Sequence, residues 1–112
     1  MTAIAPMTNS TGQHHAELIA MLTALRGLDG SETYDAGSIA DGDEEVGEVT
    51  VTGAALGDFC IASLSIDVAD LVLTAQVTAA NTVTYQLANN TGGAVDLASA
   101  TVRVRVLPQP EA

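Results

Sequence analysis

From Val49 to Val106 the apolar side chains return at every second position, and this alternation constrains the chain more than any other feature. Val49 and Val51 alternate with Thr50 and Thr52. Leu71, Leu73, Ala75 and Val77 alternate with Val72, Thr74, Gln76 and Thr78. The same holds for Val83, Tyr85 and Leu87 against Thr82, Thr84 and Gln86, and for Val102, Val104 and Val106 against Thr101, Arg103 and Arg105. Successive side chains of a strand point to opposite faces, so these runs read as strands with one buried and one open face. Phe59, Ile61, Leu64 and Ile66 read as a further, long strand that is apolar on both faces. Turn signals separate the runs at Gly53 to Gly57, at Asn81 and at Asn89-Asn90-Thr91-Gly92-Gly93, and Pro108 and Pro110 stop the last one. Five such strands with no helical pattern between them exclude parallel βαβ units and predict an antiparallel β-sandwich or jelly-roll-like domain over 49–108.

Upstream the period changes to that of a helix. In residues 13–28, QHHAELIAMLTALRGL, the positions Leu18, Met21, Leu22, Leu25 and Leu28 form one apolar stripe, and Ala16, Ala20 and Ala24 favour helix. Ser10 or Thr11 can cap its start, Arg26 suits its last turn, and Gly27 or Gly30 can end it. The stripe either covers this domain's own sheet or meets copies of itself. Residues 1–12, MTAIAPMTNSTG, read as an arm in which Ile4 and Met7 would gain by lying against a neighbouring subunit. Residues 29–48 carry Asp29, Glu32, Asp35, Asp41, Asp43, Glu44, Glu45 and Glu48 among four glycines, and read as an exposed acidic loop region with one short strand around Thr33–Ile39. Residues 109–112 are a tail. The expected fold is therefore mainly β, with one N-terminal α-helix ahead of the sandwich.

At 112 residues the chain is one domain's worth. Its net charge is −11, with three arginines (Arg26, Arg103, Arg105) and no lysine, so neither nucleic acid nor an anionic membrane is an expected partner. No apolar run reaches the roughly 18–20 residues a membrane span needs. The first residues lack a basic start and an apolar segment, so no signal peptide is expected. Cys60 lies in the run FCIASLSI, has no second cysteine to pair with, and reads as a small buried hydrophobe in a protein folded in a reducing cytosol.

None of the candidate reactive groupings completes a site. His14 and His15 are neighbours on a helix, point about 100° apart and cannot share a metal. Asp41, Asp43, Glu44 and Glu45 offer oxygens to a hard cation, but DGDEE is not an EF-hand loop. The same acids read as a solvated loop or as a docking surface for basic residues of a partner. Cys60 has no activating motif beside it, and aromatics at 3% of the chain do not line a sugar groove. No enzyme activity, metal or cofactor is expected. Arg103 and Arg105 share one face of the last strand, where they either pair with acids on a neighbouring strand or form intersubunit ion pairs with the acidic segment of another copy.

Residues 47–108 as a run contain a VTGAALGD turn at Val51–Asp58, a strand opening F-x-x-A-S at Phe59–Ser63, LTAQVTAANTVTYQLANNTGGAVDLAS at Leu73–Ser99 and VRVRV at Val102–Val106. This run resembles the β domain of small structural proteins encoded in phage and prophage genomes, in which an apolar helix often comes first. The resemblance implies a virion protein made in the host cytoplasm, assembling as a homo-oligomer with a trimer favoured. It implies decoration or cementing of the head through the major capsid protein or another virion protein; the alternative is a tail or fibre tip that binds a host surface. The acidic load at Asp41–Glu48 and the position of Cys60 depart from the family pattern.

Overall fold

The computed structural model describes residues 15–19, 21 and 27–109. Residues 15–19 and 21 are helical, and eight strands follow: β1 (Leu28–Tyr34), β2 (Ser38–Ile39), β3 (Glu44–Thr50), β4 (Phe59–Leu64), β5 (Val72–Ala79), β6 (Thr82–Ala88), β7 (Val95–Asp96) and β8 (Ala100–Leu107). The chain is mainly β, with antiparallel sheets and a helix near the N-terminus. The arm at 1–12, with Ile4 and Met7, and the helix positions Leu22 and Leu25 lie outside the described residues.

Two three-stranded sheets, ordered β1-β8-β4 and β3-β6-β5, share one apolar core, and a two-residue ribbon, β2-β7, sits beside them. Every ladder is antiparallel. The pairs β1/β8, β2/β7 and β3/β6 are nested like a rolled-up hairpin, the connectivity behind jelly rolls. The nest is incomplete, because β4 joins β8 and β5 joins β6 instead of pairing with each other. The arrangement is sandwich-like. β4 packs against β5 on one side and β1 against β3 on the other.

The alternation decides what enters this core. Val83, Tyr85 and Leu87 of β6 and Val102, Val104 and Val106 of β8 are buried, and both strands lie centrally in their sheets. Val49, Val51, Leu71 and Val77 join them, while Thr50, Thr52, Val72, Thr74, Gln76 and Thr78 face solvent. Asn81 makes the β5–β6 reversal at φ 63°, a left-handed conformation that asparagine tolerates, and its side-chain oxygen accepts the Gly53 N–H at 2.8 Å.

Three expectations need correction. The acidic region 29–48 is not mainly loop: β1 and β3 take seven residues each, and the short strand expected at Thr33–Ile39 is divided between the end of β1 and β2. Both acidic strands are edge strands held by ladders to β8 and β6, which supply the alternating apolar faces that their own sequences lack. Leu28 opens β1 opposite Val106 instead of closing the helix, because Gly27, at φ 83°, turns the chain out of helical geometry. The strand begun by Phe59 ends at Leu64 and is open on one face, where Phe59 and Ile61 are exposed.

Tyr34 and Tyr85 meet edge to face across the core, with ring centroids 6.5 Å apart. Burial raises the pKa of both phenols, with Glu45 adding to the effect on each. The Tyr34 hydroxyl is buried and has no hydrogen-bond partner among the described residues. An unsatisfied buried hydroxyl costs about 1–3 kcal/mol, so Tyr34→Phe is expected to stabilise the fold by about 1 kcal/mol. Urea unfolding of the two proteins measures this, and a loss of stability would mean that the hydroxyl has a partner outside the described residues.

Candidate interaction surface

The registers of β1-β8-β4 set side chains in rows across the outward face of that sheet. Asp29, Arg105 and Ile61 form one row, Ser31, Arg103 and Ser63 the next, and Phe59 stands beside Leu107 at the end. The odd-numbered residues of β8 point outward because Val102, Val104 and Val106 point in. A shallow open concavity of about 640 Å³ runs over these rows. Arg105 donates from Nε to Asp29 Oδ1 at 2.7 Å, and this hydrogen bond holds the guanidinium pKa above its ordinary value. The pair is well exposed, so solvent screens it and its contribution to stability is small. Of the two possibilities for the arginines, Arg105 thus shows internal pairing. Arg103 makes no ion pair among the described residues, although it lies on the same face between Ser31 and Ser63.

Next to this cationic row the face becomes apolar. Phe59 and Ile61 are 68% and 65% exposed, and Leu107 is partly exposed beside them, while Leu56, 67% exposed, stands in the turn that leads into β4. The outward face of the other sheet differs. It carries Glu44, Glu48, Thr74, Gln76, Thr84 and Gln86, with only Val46 and Val72 as exposed large apolar residues. Turn geometry explains why Leu56 and Phe59 share one end. Asp58 Oδ2 accepts the Ala55 N–H at 3.0 Å, while its Oδ1 accepts the Gln109 N–H at 2.8 Å, which ties the turn before β4 to the segment after β8.

The acids expected to form one docking surface are not brought together. Asp43 accepts the Glu44 N–H at 2.8 Å where β3 begins, and Glu44 accepts a hydrogen bond from Gln86 Nε2 at 2.6 Å. Glu45 has the opposite parity, half-buried on the core side across from Leu87. Consecutive strand positions point to opposite faces, so this acidic run is divided between them. Leu18 and Met21 of the helix are exposed. Among the described residues, no group of three or more His, Cys, Asp and Glu side chains could hold a metal ion, and no helix is long and apolar enough to cross a membrane. Cys60 is half-buried on the inner face of β4, and burial raises its thiol pKa.

One residue that reads in the sequence only as the start of a turn has a large structural role. Asn89 is fully buried. Its Nδ2 donates to the carbonyls of Ile39 and Gly93, both at 2.8 Å, and its Oδ1 accepts from the Thr91 N–H at 2.9 Å and the Thr91 hydroxyl at 2.7 Å. Its main chain adds bonds to Gly42 and Asp43. The spacing Asn-x-Thr at the end of an alternating run is the only hint in the sequence, as an Asx turn.

Comparisons with known protein families, with curated proteins and with solved structures return no match for this chain.

Proposed function

We propose that this protein is a phage virion structural protein that decorates an assembled head, binding to the major capsid protein or another virion protein as a homo-oligomer, with a trimer favoured. The observation that carries the reading is the outward face of β1-β8-β4, where exposed Phe59, Leu107 and Ile61 lead through the Arg105 row to Arg103 in a chain of net charge −11. Such a face offers contact area for a protein partner rather than an enclosed reaction site. The resemblance of residues 47–108 to phage structural proteins points the same way. A sandwich-like body with short connections suits a protein that must present a fixed surface many times over one shell. Joining several weak contacts in one oligomer raises apparent affinity by about 10²–10⁴ without any new contact, and binding only the assembled shell stabilises that shell by mass action.

The test is sedimentation of the purified protein with assembled heads from the phage or prophage that encodes it, prepared without this protein. Binding to heads at hundreds of copies, with none to dissociated capsid subunits, is the expected result, together with heads that withstand higher temperature. A few copies at a single vertex or on tails would replace decoration with the tip reading. Failure to bind any virion component would overturn both.

A further inference from the structure

The chain exposes two apolar surfaces at once. One is the end of the outward face of β1-β8-β4, formed by Phe59, Ile61 and Leu107. The other is the helix, where Leu18, Ile19 and Met21 are 45%, 49% and 59% exposed. The two are connected through Gly27, which passes directly against the Val106 carbonyl; a Cβ at Gly27 would lie 3.0 Å from Leu107 Cδ2. Gly27, where the described chain resumes after the helix, therefore lies at the apolar end of the sheet, and among the described residues both surfaces are exposed. We infer that the outward face of β1-β8-β4 is the seat for the helix of a second copy of this chain, so that copies associate helix on sheet.

Charge and spacing both fit this occupant. In a chain of net charge −11, most contacts between copies bring like charges together, so an attachment point needs one of the few cations. Arg103 is such a cation, exposed and without an ion pair among the described residues. The described helix carries one acid, Glu17, beside Leu18 and one turn before Met21. Residues four apart share a helix face and rise about 6 Å, at 1.5 Å each. From the row of Ile61 to that of Arg103 and Ser63 is two strand residues, a rise of about 6.6 Å. A helix that lays Met21 on Ile61 thus brings Glu17 level with Arg103. One apolar contact and one ion pair are satisfied together, in a single orientation. The contact is heterologous, with each copy offering a helix and receiving one, and such contacts close into rings when the rotation allows.

This inference deepens the oligomeric part of the proposed function and does not depend on the virion part. Size-exclusion chromatography with light scattering, run as a dilution series on the full chain, tests it without any shell present. The wild type is expected to be an oligomer. Ile61→Glu and Met21→Glu are each expected to raise the dissociation midpoint at least tenfold, and their circular dichroism and unfolding transitions should match the wild type, because both side chains are exposed in the single chain. Arg103→Glu and Glu17→Arg should each weaken assembly several-fold, and the double variant Glu17→Arg/Arg103→Glu should restore it. A wild type that stays monomeric at the highest concentration overturns the inference, as does an oligomer indifferent to both Ile61→Glu and Met21→Glu. A chain that assembles as stated but ignores heads keeps this inference and loses the virion reading. A monomer that binds heads does the reverse.

Discussion

Asn89→Asp is expected to destabilise the protein by about 3–5 kcal/mol near neutral pH, a change of one functional group with no change of shape. The asparagine amide donates to the carbonyls of Ile39 and Gly93 from a fully buried position. A carboxylate has no proton to donate there. It would leave both carbonyls unsatisfied and set a negative charge against them, and uncompensated buried polar groups and charges carry costs of this size. The sign of the pH dependence follows. Burial beside two acceptors raises the folded-state pKa of the new carboxyl above its unfolded value. The protonated acid can donate one of the lost bonds, so the deficit relative to wild type shrinks as pH falls through the folded pKa and is fully present above it. Asn89→Ala removes all four side-chain bonds and should cost about 2–4 kcal/mol with no such recovery in acid. Urea unfolding of the three proteins across a pH series is the measurement. A cost for the aspartate variant that does not change with pH would show that the carboxyl stays ionised and finds another partner. The β2-β7 ribbon is expected to open first, because Asn89 connects Ile39 of β2 to Gly93, just ahead of β7.

The second large effect is expected at Gly30. A Cβ there would lie 2.7 Å from the Thr50 carbonyl oxygen, 2.7 Å from Val51 Cγ2 and 2.9 Å from Val49 Cγ1. Gly30 is thus the point where the edge of one sheet passes over the end of β3. A flexible side chain could move aside, but a backbone carbonyl and two β-branched core residues cannot. Overpacking a close-packed core costs about 1–3 kcal/mol and occasionally more, so Gly30→Ala should lose about 2–3 kcal/mol and Gly30→Val more. Gly37, where an added Cβ meets nothing within 4 Å, has a positive φ and is not an equal control, whereas Gly93 has open space and no positive φ. Gly93→Ala is therefore expected to change stability little. Equal unfolding midpoints for Gly30→Ala and Gly93→Ala would show that the two sheets do not approach at Gly30.

The strands that build the centre of each sheet were legible because both of their faces signal. In β6 and β8 every inward position is apolar and almost every outward one is polar, and burial follows that order without exception from Val83 to Leu87 and from Val102 to Val106. The edge strands were not legible. β1, LDGSETY, has large apolar residues only at its two ends, and β3, EEVGEVT, has Val46 and Val49 on opposite faces. Their glycines read as loop residues, yet Gly30 and Gly47 are in strands because something lies where a side chain would be. Over Gly47 it is the ring of Tyr85, its cross-strand partner. Long-range packing decides this, and no local propensity carries it. The same limit applies to the surface. The sequence showed Arg103 and Arg105 on one face, but only the ladder to β1 placed Asp29 against Arg105 and left Arg103 without an ion pair among the described residues.

By itself, then, the amino-acid order determined that the chain is antiparallel β, which residues of its central strands are buried, and where its main reversals fall, because each follows from neighbours a few positions apart. Only the tertiary structure decided that acidic segments become edge strands, that Asn89 is a buried post between loops, and that Phe59, Ile61 and Leu107 share an open face with an arginine. Those facts depend on pairing between residues tens of positions apart, where what a side chain meets is set by the fold and not by the residues next to it.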